Sequence, residues 1–233
     1  LGGSVSNLSI RKPKPFHSFT ANDVKVRHAA CGNEPSILTD IYNEQNNIVI
    51  WQRNLSEALQ HSAHAFLKTH STFSATKTIA SNAILTNVKK CLGSAATPEL
   101  GEDIAELVDM FCCLFELTAV GLRLSVLNSA MCPRFHVDRI PCRLATTYHG
   151  VATQWLPHKA VNREKLGCGS NGKADHQTGL YKKECDIQQV HCGDVALLKG
   201  EIWEGNANAG LVHRSPALSK NERRLLLTLD FSS

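Results

Sequence analysis

The stretch Met131-Cys132-Pro133-Arg134-Phe135-His136-Val137-Asp138 places an imidazole and a carboxylate two residues apart, in an apolar segment entered through a Cys-Pro turn. Side chains alternate along a strand with period two, so His136 and Asp138 point to one face, and Phe135 and Val137 to the other. That is the spacing of two metal ligands on a strand, and a third must come from elsewhere. His213, in Gly210-Leu211-Val212-His213-Arg214-Ser215-Pro216, is set directly in a later apolar run that a Ser-Pro turn stops. Two imidazoles and one carboxylate make a facial triad with open positions, the arrangement suited to non-heme Fe(II) and oxygen chemistry. A lone His-x-Asp is common by chance, and His213 read alone fits a hydrogen-bonded core histidine. What lifts the set is its joint order in a strand-rich half.

Downstream of this stretch the hydrophobic period is two. Short strands are predicted over Arg143 to Tyr148, Thr153 to Leu156, Asp186 to His191, Val195 to Leu198, Leu211 to Arg214 and Arg223 to Phe231, and just upstream over Gly121 to Leu127. Further upstream the pattern is mostly helical. A strand at Asn47 to Gln52 leads to a helix over Leu55 to Lys68, with Asn54 and Glu57 as its start signal. Phe73 to Ala80 reads as a strand, and Ser81 as the cap of a helix that runs to Leu92 and stops at Gly93. Thr97-Pro98-Glu99 opens the longest helix, with Leu100, Ile104, Leu107, Phe111, Leu114 and Phe115 at three- and four-residue steps and acids in its first turns. This helix should back a sheet. Helices followed by many short strands suggest a barrel or sandwich with helical support, not alternating βαβ units.

The chain has 233 residues, 42% of them hydrophobic, and a formal net charge of +4, values of a globular protein with one large core. The longest basic cluster is Arg11-Lys12-Pro13-Lys14, so charge gives no indication of nucleic-acid binding. Nine cysteines form an odd set without a regular framework, and no cleavable signal or apolar run of about 18 residues is present. The expectation is a reducing cytoplasm and no membrane. Cys112-Cys113 reads as core filler on the long helix. Residues 1–35 read as an extended arm, with His17 and His28 solvated; His61 and His64 share a helix face without a carboxylate or thiol partner. Between Pro157 and Lys183 the sequence turns polar and glycine-rich, which suggests a mobile lid or a partly disordered loop. Cys168, His176, Cys185, His191 and Cys192 match no paired Cys-x-x-Cys or His-x-His spacing and do not read as a zinc site.

His136-Val137-Asp138, then His213 75 residues after Asp138, then Arg224 eleven residues later, resembles the His-x-Asp … His … Arg pattern of the Fe(II)/2-oxoglutarate-dependent oxygenases. The resemblance implies a double-stranded β-helix over roughly 120 to 231, with the two His and the Asp on iron and a basic residue of the last strand on the distal carboxylate of 2-oxoglutarate. Arg223 and Arg224 compete for that role, and alternation separates them. Arg223, Leu225, Leu227, Leu229 and Phe231 form an apolar face for the long helix, which leaves Arg224 and Thr228 facing the interior with the metal. Gly193-Asp194-Val195-Ala196-Leu197-Leu198 resembles the turn and strand that precede the distal histidine in this family. Tyr148 and Trp155, flanking Gly150, stand where the resemblance implies co-substrate or substrate contacts, although an aromatic on a strand is usually core. At closer range, Cys132 to Leu156 together with the two C-terminal runs resembles a bacterial family catalogued as domain of unknown function 1826.

The expectation is therefore an α+β protein with a double-stranded β-helix (jelly-roll, cupin-like) core at 120–233, an N-terminal helical layer at 36–119 and an arm at 1–35. The resemblance implies an Fe(II)/2-oxoglutarate-dependent hydroxylase acting on an unknown small-molecule or protein substrate, with Zn or Mn as alternative metals. Cofactor contacts are expected from Arg224, Tyr148 and Thr228. The rival readings are a metal-binding or sensing protein on the same fold, motivated by the surplus Cys and His, and a cupin-like isomerase or dioxygenase, disfavoured because no His-x-His occurs.

Overall fold

The run Arg224-Leu225-Leu226-Leu227-Thr228-Leu229-Asp230-Phe231 forms a strand with neighbours on both sides, and its alternation sets two very different faces. In the computed structural model, which describes residues 26–93 and 97–232, the elements follow in the order β1 (His28–Gly32), β2 (Asn46–Trp51), α1 (Glu57–Thr69), β3 (Phe73–Ala80), α2 (Ile84–Leu92), α3 (Pro98–Phe115), β4 (Ala119–Leu127), β5 (Cys142–His149), β6 (Gln154–Leu156), α4 (Asp175–Thr178), β7 (Gln188–Gln189), β8 (Val195–Lys199), β9 (Val212–Arg214) and β10 (Arg224–Phe231). The architecture is mixed α/β. Residues 1–25 of the expected arm, with His17, lie outside the described residues.

A seven-stranded sheet has the order β1-β2-β8-β5-β10-β4-β3, antiparallel except for β1 and β2, and a three-stranded sheet has the order β7-β6-β9. Strands β2 and β3, from the part expected to be mainly helical, belong to the larger sheet. So does β1, from the expected arm. The division at 119/120 therefore does not separate helices from sheet.

One face of the larger sheet buries Leu124, Leu144, Leu197, Leu225, Leu227 and Leu229 in a single cluster with Phe66 of α1 and Ile104, Leu107 and Phe111 of α3. At about 1.5–3 kcal/mol per fully buried leucine, this face is the main source of stability. The other face packs Ile48, Ile50, Ala145 and Leu198 against Trp155 and Leu211, which joins the two sheets over one half of the larger one. No helix among the described residues is long and apolar enough to cross a membrane.

Four local expectations are corrected. The cap of α1 is Ser56, whose hydroxyl accepts from the Leu59 N–H at 3.2 Å, not Asn54. Helix α2 starts after Ala83, and Ser81 instead donates its N–H to the Thr118 carbonyl across to β4. Pro98 opens α3 as its spacing predicts, but the Thr97 hydroxyl turns to Ser62 of α1 and caps no backbone N–H of its own helix. Cys112 is core, whereas Cys113 is exposed, because adjacent helical residues lie about 100° apart and cannot share a face.

Candidate metal centre

The site is assembled by one backbone contact. The His136 and His213 residues exchange both main-chain hydrogen bonds, N–H to carbonyl at 3.0 Å in each direction, as an isolated antiparallel bridge beside β9. Directly opposed residues of an antiparallel pair present their side chains to the same face. The two rings accordingly stand with centroids 4.6 Å apart. Asp138, two residues on, joins them: Oδ1 is 3.6 Å from His136 Nε2, and Oδ2 is 3.5 Å from His213 Nε2.

Both imidazoles are fixed by their other nitrogen. His136 Nδ1 is 2.9 Å from the Arg134 carbonyl oxygen and His213 Nδ1 is 3.3 Å from that of Leu211. A carbonyl only accepts, so each Nδ1 carries the hydrogen and each Nε2, turned toward Asp138, has a lone pair for a metal when its ring is neutral. The three ligand atoms lie within 4.8 Å of one another, and they are the one set of three or more His, Cys, Asp or Glu so arranged among the described residues. Their separations suit a cation with bonds of about 2.0–2.2 Å to nitrogen and oxygen. Two neutral imidazoles and an ionised carboxylate are a donor set for a first-row divalent metal.

The electrostatics agree with that use. Burial pushes the Asp138 carboxyl up, but His136, His213 and the Arg143 guanidinium together hold it down at about 2. The Asp138 carboxylate raises His136. His213, only 7% exposed, is pushed down to about 4 by burial. At neutral pH His213 is thus neutral and the Asp138 carboxylate charged.

Arg143 was not singled out by the sequence, yet it holds the Asp138 carboxylate. Its Nη1 donates to Asp138 Oδ2 at 2.7 Å, while Nε and Nη2 form a fork on Asp230 at 2.7 and 2.9 Å. The signal lies in register: Arg143 of β5 stands opposite Asp230 of β10. Gly200 supports the same ligand from beneath, its N–H donating to the Pro141 carbonyl and the Glu201 N–H to that of Asp138. A methyl group at Gly200 would overlap the Ile140 carbonyl oxygen and press on that of Asp138.

Arg224 lies in the same cavity as His136 and His213, on the inner face of β10 as alternation predicts, and Thr228 lines that cavity too. Its guanidinium, 1% exposed, donates to Thr147 from Nε and Nη2 (3.2 and 3.0 Å), to Thr153 from Nη2 (2.8 Å) and to Ser215 from Nη1 (3.1 Å). It forms no ion pair with an acid among the described residues. Burial pulls its pKa down to about 10. The cavity holds about 70 Å³, several times the roughly 10–15 Å³ that one water needs by this measure.

Tyr148 is not brought to the site. It faces the helix side of β5 with Leu144, buried, and its hydroxyl donates to Asp103 of α3 at 2.6 Å. Asp103 is also forked by Arg53 at 2.7 and 3.0 Å. Strand alternation in Arg143-Leu144-Ala145-Thr146-Thr147-Tyr148 carried this signal: Arg143, Ala145 and Thr147 share the cavity face, and Tyr148 does not. Trp155 packs in the cluster between the sheets.

The 157–183 segment is not a cover over the cavity. None of the residues lining the cavity comes from it. It packs behind the ligands, where Leu180 meets Phe135, Leu156 and Val212, and buried Asp175 accepts the Phe135 N–H at 2.9 Å and an Arg214 N–H at 3.4 Å. Cys168, Cys185 and Cys192 are exposed free thiols, and they form no metal-binding group with His176 or His191 among the described residues.

In structure the chain is similar to the dioxygenase for auxin oxidation of rice (11% identity, covering 89% of this chain and 83% of that one, TM-score 0.48). It is similar to dioxygenase for auxin oxidation 1 of Arabidopsis thaliana, solved with 2-oxoglutarate (9%, 88% and 92%, 0.49), and to a prolyl-4-hydroxylase of Pseudomonas putida (9%, 85% and 98%, 0.48). At these identities no residue's role is taken over from them. No curated protein matches the chain. The chain belongs to the family described as a protein of unknown function (DUF1826), whose model matches residues 32–230.

Proposed function

We propose that this protein is an Fe(II)/2-oxoglutarate-dependent oxygenase that hydroxylates a substrate, its two sheets forming the double-stranded β-helix of that class. His136, Asp138 and His213 would hold the metal, with Zn(II) and Mn(II) as the other ions such donors suit. When bound, the metal and the keto acid supply the oxidising chemistry. The observation that carries this reading is Arg224: a buried guanidinium with no acid partner among the described residues, in the cavity of a His/Asp/His set.

Four of its five N–H groups go to Thr147, Thr153 and Ser215. Those hydroxyls accept from the guanidinium, so their own hydrogens are free to donate. A cation ringed by hydroxyl donors is a carboxylate receptor. Arg224 would anchor the distal carboxylate of 2-oxoglutarate and orient its keto acid end toward the metal ligands. Arg143 would keep Asp138 turned toward the imidazoles.

The test is anaerobic titration of metal-free protein with Fe(II) and then 2-oxoglutarate, following the weak visible charge-transfer band of a chelated keto acid. The band is expected in the wild type and lost in Arg224→Ala, which should still bind metal. Bound metal without any band would overturn the proposal.

A further inference from the structure

His136, His213 and Arg224 line the cavity, and the rest of its wall bears on what else enters. The covering sheet packs on β2, β8 and β5. Beyond β10 the same face of the larger sheet continues over β4 and β3 and becomes polar. Arg123 of β4 stands between Thr228 of β10 and Thr76 of β3, and Ser125 stands between Leu226 and Ser74. Arg123, Ser125 and Thr228 all line the cavity.

Two features of this wall are unexplained by the fold. Ser125 is 3% exposed, and its hydroxyl has no hydrogen-bond partner. A buried hydroxyl left so is unfavourable unless something else meets it. Arg123 is exposed at the opening and has neither an ion pair nor a hydrogen bond among the described residues. The other arginines of the wall are accounted for. Arg143 is matched by Asp138 and Asp230, Arg214 by Asp175, and Arg224 by the carboxylate assigned to it above. With metal and 2-oxoglutarate bound, the charges of the metal, Asp138, Arg224 and the dicarboxylate cancel, and Arg123 remains as an uncompensated cation at the entrance.

We propose that the substrate is a small molecule with an anionic oxyacid group, a carboxylate or a phosphate, and that Arg123 receives this group with Ser125 and Thr228 beside it. This rests on the oxygenase reading for the assignment of Arg224. Arg123 on β4 and Arg224 on the neighbouring β10 would then hold the anionic ends of two different molecules. Arg123 acts here as a specificity residue and does not touch the metal.

The experiment uses protein loaded with redox-inert Zn(II) and saturated with 2-oxoglutarate, and reads saturation-transfer NMR from butyrate, propyl phosphate and neutral butyramide. At least one anion should give a signal that butyramide does not, and the stronger of the two identifies the oxyacid. Arg123→Gln should weaken that signal about tenfold, the loss of one charged hydrogen-bonding partner, with Arg123→Lys retaining part of it. 2-Oxoglutarate binding should be unchanged in both variants. Equal signals from all three probes, no signal from any, or no effect of Arg123→Gln while 2-oxoglutarate stays bound would overturn the anion site alone. Failure of 2-oxoglutarate to bind the wild type would overturn the reading beneath it, and the Zn(II)-only sample then tests Arg123 by itself.

Discussion

The two faces of the central sheet hold arginines in opposite ways. On the helix side, Arg53 is forked on Asp103, and the hydroxyl of Tyr148 completes the acid's shell. On the cavity side, Arg224 is more deeply buried and meets only hydroxyls. The pKa shifts differ in sign: Asp103 outweighs burial and raises Arg53, whereas burial lowers Arg224 to about 10. A paired buried charge contributes to holding the fold. One held without a counter-charge costs stability, and under the proposed function the carboxylate of the keto acid would supply that counter-charge.

The sharpest break of this contrast is removal of a ligand on the cavity side. His213→Ala should abolish stoichiometric metal binding by calorimetry while the fold persists, because the leucine core lies on the opposite face; full retention of metal would remove the triad from consideration. Next in size, Asp103→Ala should destabilise the protein by about 1–3 kcal/mol in urea, since it leaves half-buried Arg53 without its acid and the buried Tyr148 hydroxyl without its acceptor. Arg224→Met without ligands should stay within about 1 kcal/mol of the wild type, for it removes a charge with no acid partner. Similar losses from both would mean that the two faces are not different in kind. Arg143→Gln should cost about 10–100-fold in metal affinity at nearly constant stability, the usual effect of a residue that orients a ligand.

The smallest effect is that of pH. His136 titrates above its ordinary 6.5 because of Asp138, so protons compete for this ligand, and metal affinity should fall by about tenfold per pH unit once pH drops below its pKa. In metal-free protein His213 takes its proton only near 4, whereas the unfolded chain takes it near 6.5. The folded state thus binds fewer protons in this window, and stability should decline as pH falls from 6.5 to 4. A metal affinity flat between pH 5 and 8 would contradict the assigned protonation states.

How much of this was legible in the sequence depended on whether a feature is local. Alternation in β10 separates Arg224 and Thr228 from Leu225, Leu227 and Leu229 without reference to any other strand. The same rule, applied to β5, would have placed Tyr148 with Leu144; a role carried by resemblance displaced it. Arg143 was out of reach for a different reason, since its partners Asp138 and Asp230 meet it only through a turn and an 87-residue pairing register. The 157–183 segment reads as a lid because its composition is polar, but Leu180 and Asp175 are enough to fasten it behind Phe135. Edge strand β1 was missed because His28 to Gly32 has no hydrophobic period, and it pairs through its backbone.

The bridge between His136 and His213 also bears on folding. These residues are 77 positions apart, and between them run β5, β6, the 157–183 segment and β8. A cation held by both imidazoles would tie the two ends of that stretch together in the folded chain only, so its binding free energy would add to the free energy of folding. A chelator should therefore lower the melting temperature without altering the native spectrum. The first amides to lose protection from hydrogen exchange should be those of His136 and His213, the two that the metal would hold in register.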